Sequence, residues 1–214
     1  MHTEMSPGQL ICGIDFDNTI VSYDELLTKI ARERGLIDVA NVQSKRRLRD
    51  QIRQLPDGEI EWQKCQALLY GPRISEATLA DGVATFFASC RQCAIPVYIV
   101  SHKTEFSSYD PSNTNLRSAA LDWMHANRFF DPDGLGLTHS RVFFAATRHA
   151  KIERIRQLAC THFIDDLEET FLEDTFPPTT ARILYEPDRE SAPSPGVALM
   201  RTWQEIRDYF FTAS

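Results

Sequence analysis

The feature that most constrains this chain is an apolar run, Leu10-Ile11-Cys12-Gly13-Ile14, leading directly into Asp15-Phe16-Asp17-Asn18-Thr19. A continuous apolar run of this length reads as a short strand buried on both faces, the kind found in parallel sheets. The side-chain period of two sends Asp15 and Asp17 to the same side of the strand end. Carboxylates in water-poor surroundings are costly unless a cation or strong donors compensate them. A magnesium ion and a phosphate ester together supply that compensation.

The rest of the chain alternates in the same way. Apolar bursts at 96–100, 141–144, 161–164 and 181–185 read as further strands. Helical spacing covers 75–93, 116–127, 148–158, 167–175 and 202–211. Such alternation predicts an α/β fold: a three-layer, Rossmann-like parallel sheet with helices on both faces. Ligands of these sheets bind at the carboxyl ends of the strands. Asp15, Ser101 and Asp165 each stand at the end of an apolar run, so the topology gathers them at one edge.

Residues 21–78 have a different character. They are charged and helix-prone, with the basic run Ser44 to Arg53 in the middle, a Pro56-Asp57-Gly58 turn and a second helix over 59–70 ended by Gly71-Pro72. The expected organisation is a core of 1–20 and 79–214 with a small helical cap inserted at 21–78. Loops are expected at 107–115 and 191–196. The basic run reads as a solvated helix face, because a net charge of -7 disfavours nucleic acid and anionic membrane as partners. The five cysteines are odd in number and irregularly spaced, which argues against a disulfide framework, and Cys90-x-x-Cys93 lacks the further ligands a zinc site needs. Residues 1–8 carry neither a basic cluster nor an apolar run, so no leader is expected and the expected location is cytoplasmic.

Asp15-x-Asp17-x-Thr19 resembles the first motif of the haloacid dehalogenase-like (HAD) superfamily. The other three motifs have candidates in order: Ser101 after Val97-Tyr98-Ile99-Val100, Lys151 early in a helix, and Asp165-Asp166 after Thr161-His162-Phe163-Ile164. The resemblance covers about residues 9–20 and 96–185. It implies a magnesium-dependent phosphatase acting on a small phosphorylated metabolite. Asp15 would be the nucleophile, forming an aspartyl-phosphate, and Asp17 the general acid and then base. Magnesium would be held by Asp15, the backbone carbonyl of Asp17 and Asp166. Ser101 and Lys151 would bind phosphoryl oxygens, and Glu169 or Asp165 would orient Lys151.

His102 and Lys103 follow Ser101 directly and are placed where a substrate is touched. The insertion occupies a position where the family commonly carries a cap, and Tyr23, Arg46, Arg49, Trp62 and Lys64 are its candidate substrate-side residues. Members that remove halide lack the second aspartate, so Asp17 points to phosphoester hydrolysis or phosphoryl transfer. Two alternatives stand beside the phosphatase: a phosphotransferase or mutase using the same five residues, and a non-catalytic HAD-like binding module. The oligomeric state is left open.

Overall fold

The computed structural model describes residues 10–38 and 44–211. The opening segment read for a leader lies outside the described residues. Six strands form one sheet in the order β5-β4-β1-β6-β7-β8, all parallel. They are β1 (Cys12–Ile14), β4 (Val97–His102), β5 (Val142–Ala145), β6 (His162–Asp165), β7 (Ala181–Tyr185) and β8 (Val197–Met200). The central strand, β1, is flanked by β4 and β6, and its register sets Ile14 beside Ile99 and Ile164. That register sets Asp15 level with Asp165, and Ser101 one residue further along β4 than the position opposite Asp15.

Alternation along the strands builds two cores. Ile99, Ile164 and Ile183 face one way, into a core shared with Phe86 of α4 (Val83–Gln92), Trp123 of α5 (Leu116–Ala126) and Ile206 of α8 (Trp203–Phe211). Their neighbours Val100, Phe163 and Leu184 face the other way, against Ile152 and Ile155 of α6 (Arg148–Gln157). A sheet buried on both faces needs apolar residues at successive positions. Gly13 has its own reason. A Cβ there would lie 2.6 Å from the Phe163 ring, so only glycine lets β1 and β6 pack at this register.

The insertion leaves and re-enters the core through a two-stranded antiparallel pair, β2 (Val21–Ser22) and β3 (Thr78–Leu79), with Val21 opposite Leu79. Between them lie α1 (Asp24–Glu33), α2 (Lys45–Arg53) and α3 (Gly58–Tyr70), packed on one another. Leu48 and Ile52, one turn apart on α2, are fully buried, while Arg47 on the opposite face is exposed. Trp123 of α5 ties the insertion to the core, its indole N–H donating to the Ala77 carbonyl at 2.9 Å.

Three sequence expectations are corrected. The helix expected over 75–93 is a short 3₁₀ turn, Ile74–Glu76, then β3, then α4; Gly82, at φ +87° in the left-handed region, separates the last two. The helix expected over 167–175 shortens to α7 (Glu168–Phe171). Strand β8 was not anticipated: the four residues Val197–Met200 lie between the expected loop at 191–196 and the expected helix at 202–211, and they pair with β7. Among the described residues no helix is long and apolar enough to cross a membrane.

Candidate active site

The chain turns sharply after β1. Asn18 adopts φ 59°, which asparagine tolerates, and the amides of Ile20 and Val21 both donate to the Phe16 carbonyl. Phe16 is fully buried and meets Trp123 edge-on at 5.6 Å. With Phe16 anchored, Asp15 and Asp17 face the opposite side, into a cavity of about 810 Å³ between the strand ends and the insertion.

Asp15 is 5% exposed. Lys151, from the first turns of α6, donates to Asp15 Oδ1 at 2.6 Å and to Asp165 Oδ2 at 2.7 Å. The helix start that sets Lys151 there is capped by Thr147, whose Oγ1 accepts from the Ala150 amide at 3.1 Å. Burial works against the charge of Lys151, but the two carboxylates outweigh it and hold the ammonium above its ordinary value. Asp165 is fixed from both ends, since its Oδ1 accepts from the Leu167 amide at 3.0 Å. Of the two residues suggested to orient Lys151, Asp165 makes the contact.

The carboxylates of Asp15, Asp165 and Asp166 each offer an oxygen within 4.8 Å of the others. Burial pushes Asp15 up to about 7; Lys151 pulls it down, and Asp165 and Asp17 push it up again. Asp166 is raised well above the ordinary value by burial first, then by Asp165 and Asp15, with Lys45 opposing. Crowded acids of this kind resist ionising together. An all-oxygen, strongly anionic donor set of this size suits a hard divalent cation. Ser101, 1% exposed, leaves its hydroxyl without a hydrogen-bond partner while lining the cavity, an acceptor-seeking group beside the proposed nucleophile.

Asp17 has different company. Tyr23 donates its phenol to Asp17 Oδ1 at 2.6 Å, and Lys103, 3% exposed, lies 2.9 Å from Oδ2. Lys103, expected to meet substrate, lines the cavity; its ammonium also pairs with Asp17 and stands 4.9 Å from the centre of the Tyr70 ring. His102 lines the cavity, its Nε2 3.2 Å from the Ala146 carbonyl; partial loss of water around the ring holds its pKa below the ordinary value. Of the cap candidates, Tyr23, Arg46, Arg49 and Trp62 line the cavity, and Lys64 does not: it pairs with Glu61 at 2.7 Å. Glu169 also lines the cavity. Sequence reasoning overlooked Lys45 and Tyr70. Both lie in the insertion, one inside a run of basic residues and one at a helix end, and nothing in their spacing sets them apart.

No family model matches the sequence, and no curated protein matches it. Solved structures match along nearly all of it. A HAD-superfamily hydrolase from Ehrlichia chaffeensis is 13% identical with a TM-score of 0.54, over 97% of this chain and 98% of that one. A HAD family hydrolase from Deinococcus radiodurans, with bound phosphate and sodium, is 13% identical with a TM-score of 0.53, over 96% of each chain. The HAD-hydrolase YfnB from Bacillus subtilis, bound to magnesium, is 14% identical with a TM-score of 0.54, over 95% of this chain and 99% of that one. A dehalogenase is among the other matches. At these identities the likeness carries architecture alone, and on that ground the chain has the α/β fold of the haloacid dehalogenase-like hydrolases.

Proposed function

We propose that this protein is a magnesium-dependent phosphatase that hydrolyses a small phosphorylated metabolite through an aspartyl-phosphate. The observation that carries the reading is the convergence of Asp15, Ser101, Lys151, Asp165 and Asp166 from four separate segments on one end of the sheet. Asp15 and Asp166, with the backbone carbonyl of Asp17, would hold the metal. When bound, magnesium offsets the repulsion between an anionic carboxylate and an anionic phosphate.

The protein's own groups do the rest. Asp15 presents one carboxylate oxygen to phosphorus, and the bond from phosphorus to the leaving oxygen breaks as the new one forms. Asp17 gives that oxygen its proton. It then takes a proton from the water that cleaves the acyl-phosphate, returning Asp15 and inorganic phosphate. Lys151 and the free hydroxyl of Ser101 donate to the phosphoryl oxygens, whose charge grows in the transition state. Asp165 keeps Lys151 pointed at the site. The insertion roofs the cavity and limits water.

The presence of Asp17 favours this reading over halide removal, for which the resemblance implies no second aspartate. Purified protein with magnesium is expected to release phosphate from an aryl phosphate and from some members of a metabolite panel, and chelation is expected to stop it. A silent panel with magnesium present, alongside release of halide from a haloacid, would overturn the proposal.

A further inference from the structure

The cations of α2 differ in what they meet. Arg46 pairs with Glu186, Arg49 with Asp50 at 2.9 Å, and Arg53 with Glu59 at 2.7 Å. Lys45, the first residue of the helix, lines the cavity but has no carboxylate within ion-pair distance among the described residues. Its ammonium donates to the Tyr70 phenol at 2.7 Å and lies 5.4 Å from that ring's centre. Its main-chain amide donates to Asp24 Oδ1 at 2.8 Å, which fixes the helix start. Among the described residues the ammonium has a neutral phenol as its hydrogen-bond partner, and Asp166 and Asp17 act on it from beyond ion-pair distance, so an anion can be seated directly against it.

Ser44, beside it, is also short of a partner. It occupies the N-cap position of α2 but makes no capping bond. Its Oγ is buried, lines the same cavity and has no hydrogen-bond partner. Two unpartnered hydroxyls therefore border one space, Ser101 from the sheet and Ser44 from the insertion.

The position of Lys45 says which part of a substrate it meets. Asp17, Lys103, Tyr70 and Lys45 are linked in series: Lys103 lies 2.9 Å from Asp17 and 4.9 Å from the centre of the Tyr70 ring, and Lys45 donates to the Tyr70 phenol at 2.7 Å. The series starts at the proposed proton donor to the leaving oxygen, not at the nucleophile. We infer that Ser44 and Lys45 bind an acidic group, a carboxylate or a second phosphate, carried by the leaving group of the substrate. This rests on the phosphatase reading and narrows it to esters with an anionic leaving group.

The test compares three esters of matched size with magnesium present: glycerol phosphate, phosphoglycerate and a propanediol bisphosphate. Aryl phosphate serves as the reference for turnover. The wild type is expected to favour at least one of the two acidic esters over glycerol phosphate by roughly tenfold or more in kcat/KM. The two acidic arms tell a carboxylate from a phosphate. Lys45→Met is expected to lower that preference roughly tenfold to a hundredfold, mainly through KM, with Lys45→Arg retaining part of it. Ser44→Ala is expected to lower it less. Arg47→Gln, on the exposed face of α2, is expected to keep it. Should Lys45→Met fail to melt cooperatively, Lys45→Gln and Ser44→Ala read the same ratio. Turnover of aryl phosphate without preference for an acidic ester, a preference that survives these substitutions, or equal losses on every ester would each overturn the inference while leaving the phosphatase reading intact. Silence on all four esters overturns both.

Discussion

On the sheet side of the cavity, Lys151 meets two carboxylates and Lys103 one, each within 3 Å and each nearly out of reach of water. On the insertion side, Lys45 meets a phenol, and the arginines beside it pair with exposed or partly exposed acids that contribute little to stability. The sheet side is built as a fixed instrument, its charges compensated and its rotamers held by neighbours. The insertion side is left open to whatever enters. Chemistry that is the same for every phosphate ester belongs on the first surface, and selection among esters on the second.

Three experiments strain that contrast, and the most disruptive comes first. Replacing Asp15 by Asn keeps the size of the side chain and removes the proposed nucleophile. Turnover is expected to fall on the order of 10⁴-fold or more, for acidic and neutral esters alike, with the fold intact by circular dichroism. A variant that works at the wild-type rate would move the chemistry off the sheet side altogether.

Tyr23 stands at the junction, on the insertion but bonded to Asp17 at 2.6 Å. Tyr23→Phe removes one donor to a positioned carboxylate, and kcat is expected to drop roughly tenfold with KM little changed. The telling readout is the ratio of rates on acidic and neutral esters, which should stay unchanged. A change of preference instead would mean that Tyr23 belongs to the selecting surface.

The smallest effect is one of stability. In the magnesium-free chain, burial pushes Asp15 up to about 7 from 3.8. Between those values the folded chain keeps a proton that the unfolded chain has released. The contribution is therefore fully present below about pH 4 and is lost as the pH rises through about 7. Chelated protein should melt a few degrees lower at about pH 8 than at about pH 5. Magnesium should recover more at the higher pH, and Asp15→Asn should flatten the difference. Equal magnesium effects at both values would show that the sheet side needs no cation to hold its acids together.

The contrast also explains what the sequence disclosed. Buried strands leave apolar runs, and acids at their ends interrupt those runs abruptly, as at Asp15 after Ile14 and Asp165 after Ile164. The five strands read this way are all in the sheet. β8 escaped because an edge strand of four residues, partly exposed, has no alternation to show. Helix α1 went unplaced within a stretch read only as helix-prone, since Leu26, Leu27, Ile30 and Ala31 are buried by partners from elsewhere in the insertion and the core. Lys45 was invisible for a plainer reason. Four basic residues sit within Lys45 to Arg49, and only tertiary partners tell a lysine lining the cavity from arginines paired elsewhere.

The pairing of Val21 with Leu79 has one more implication. Both feet of the insertion are fastened at a single clasp, so the chain between them is already a closed loop as far as the sheet is concerned. Enlarging such a loop adds only about 0.6 kcal/mol per doubling of its length. The roof of the cavity is therefore open to revision: its helices can lengthen or shorten at small entropic cost, provided that the contacts tying it to the floor, Tyr23 to Asp17 and Trp123 to Ala77, are kept.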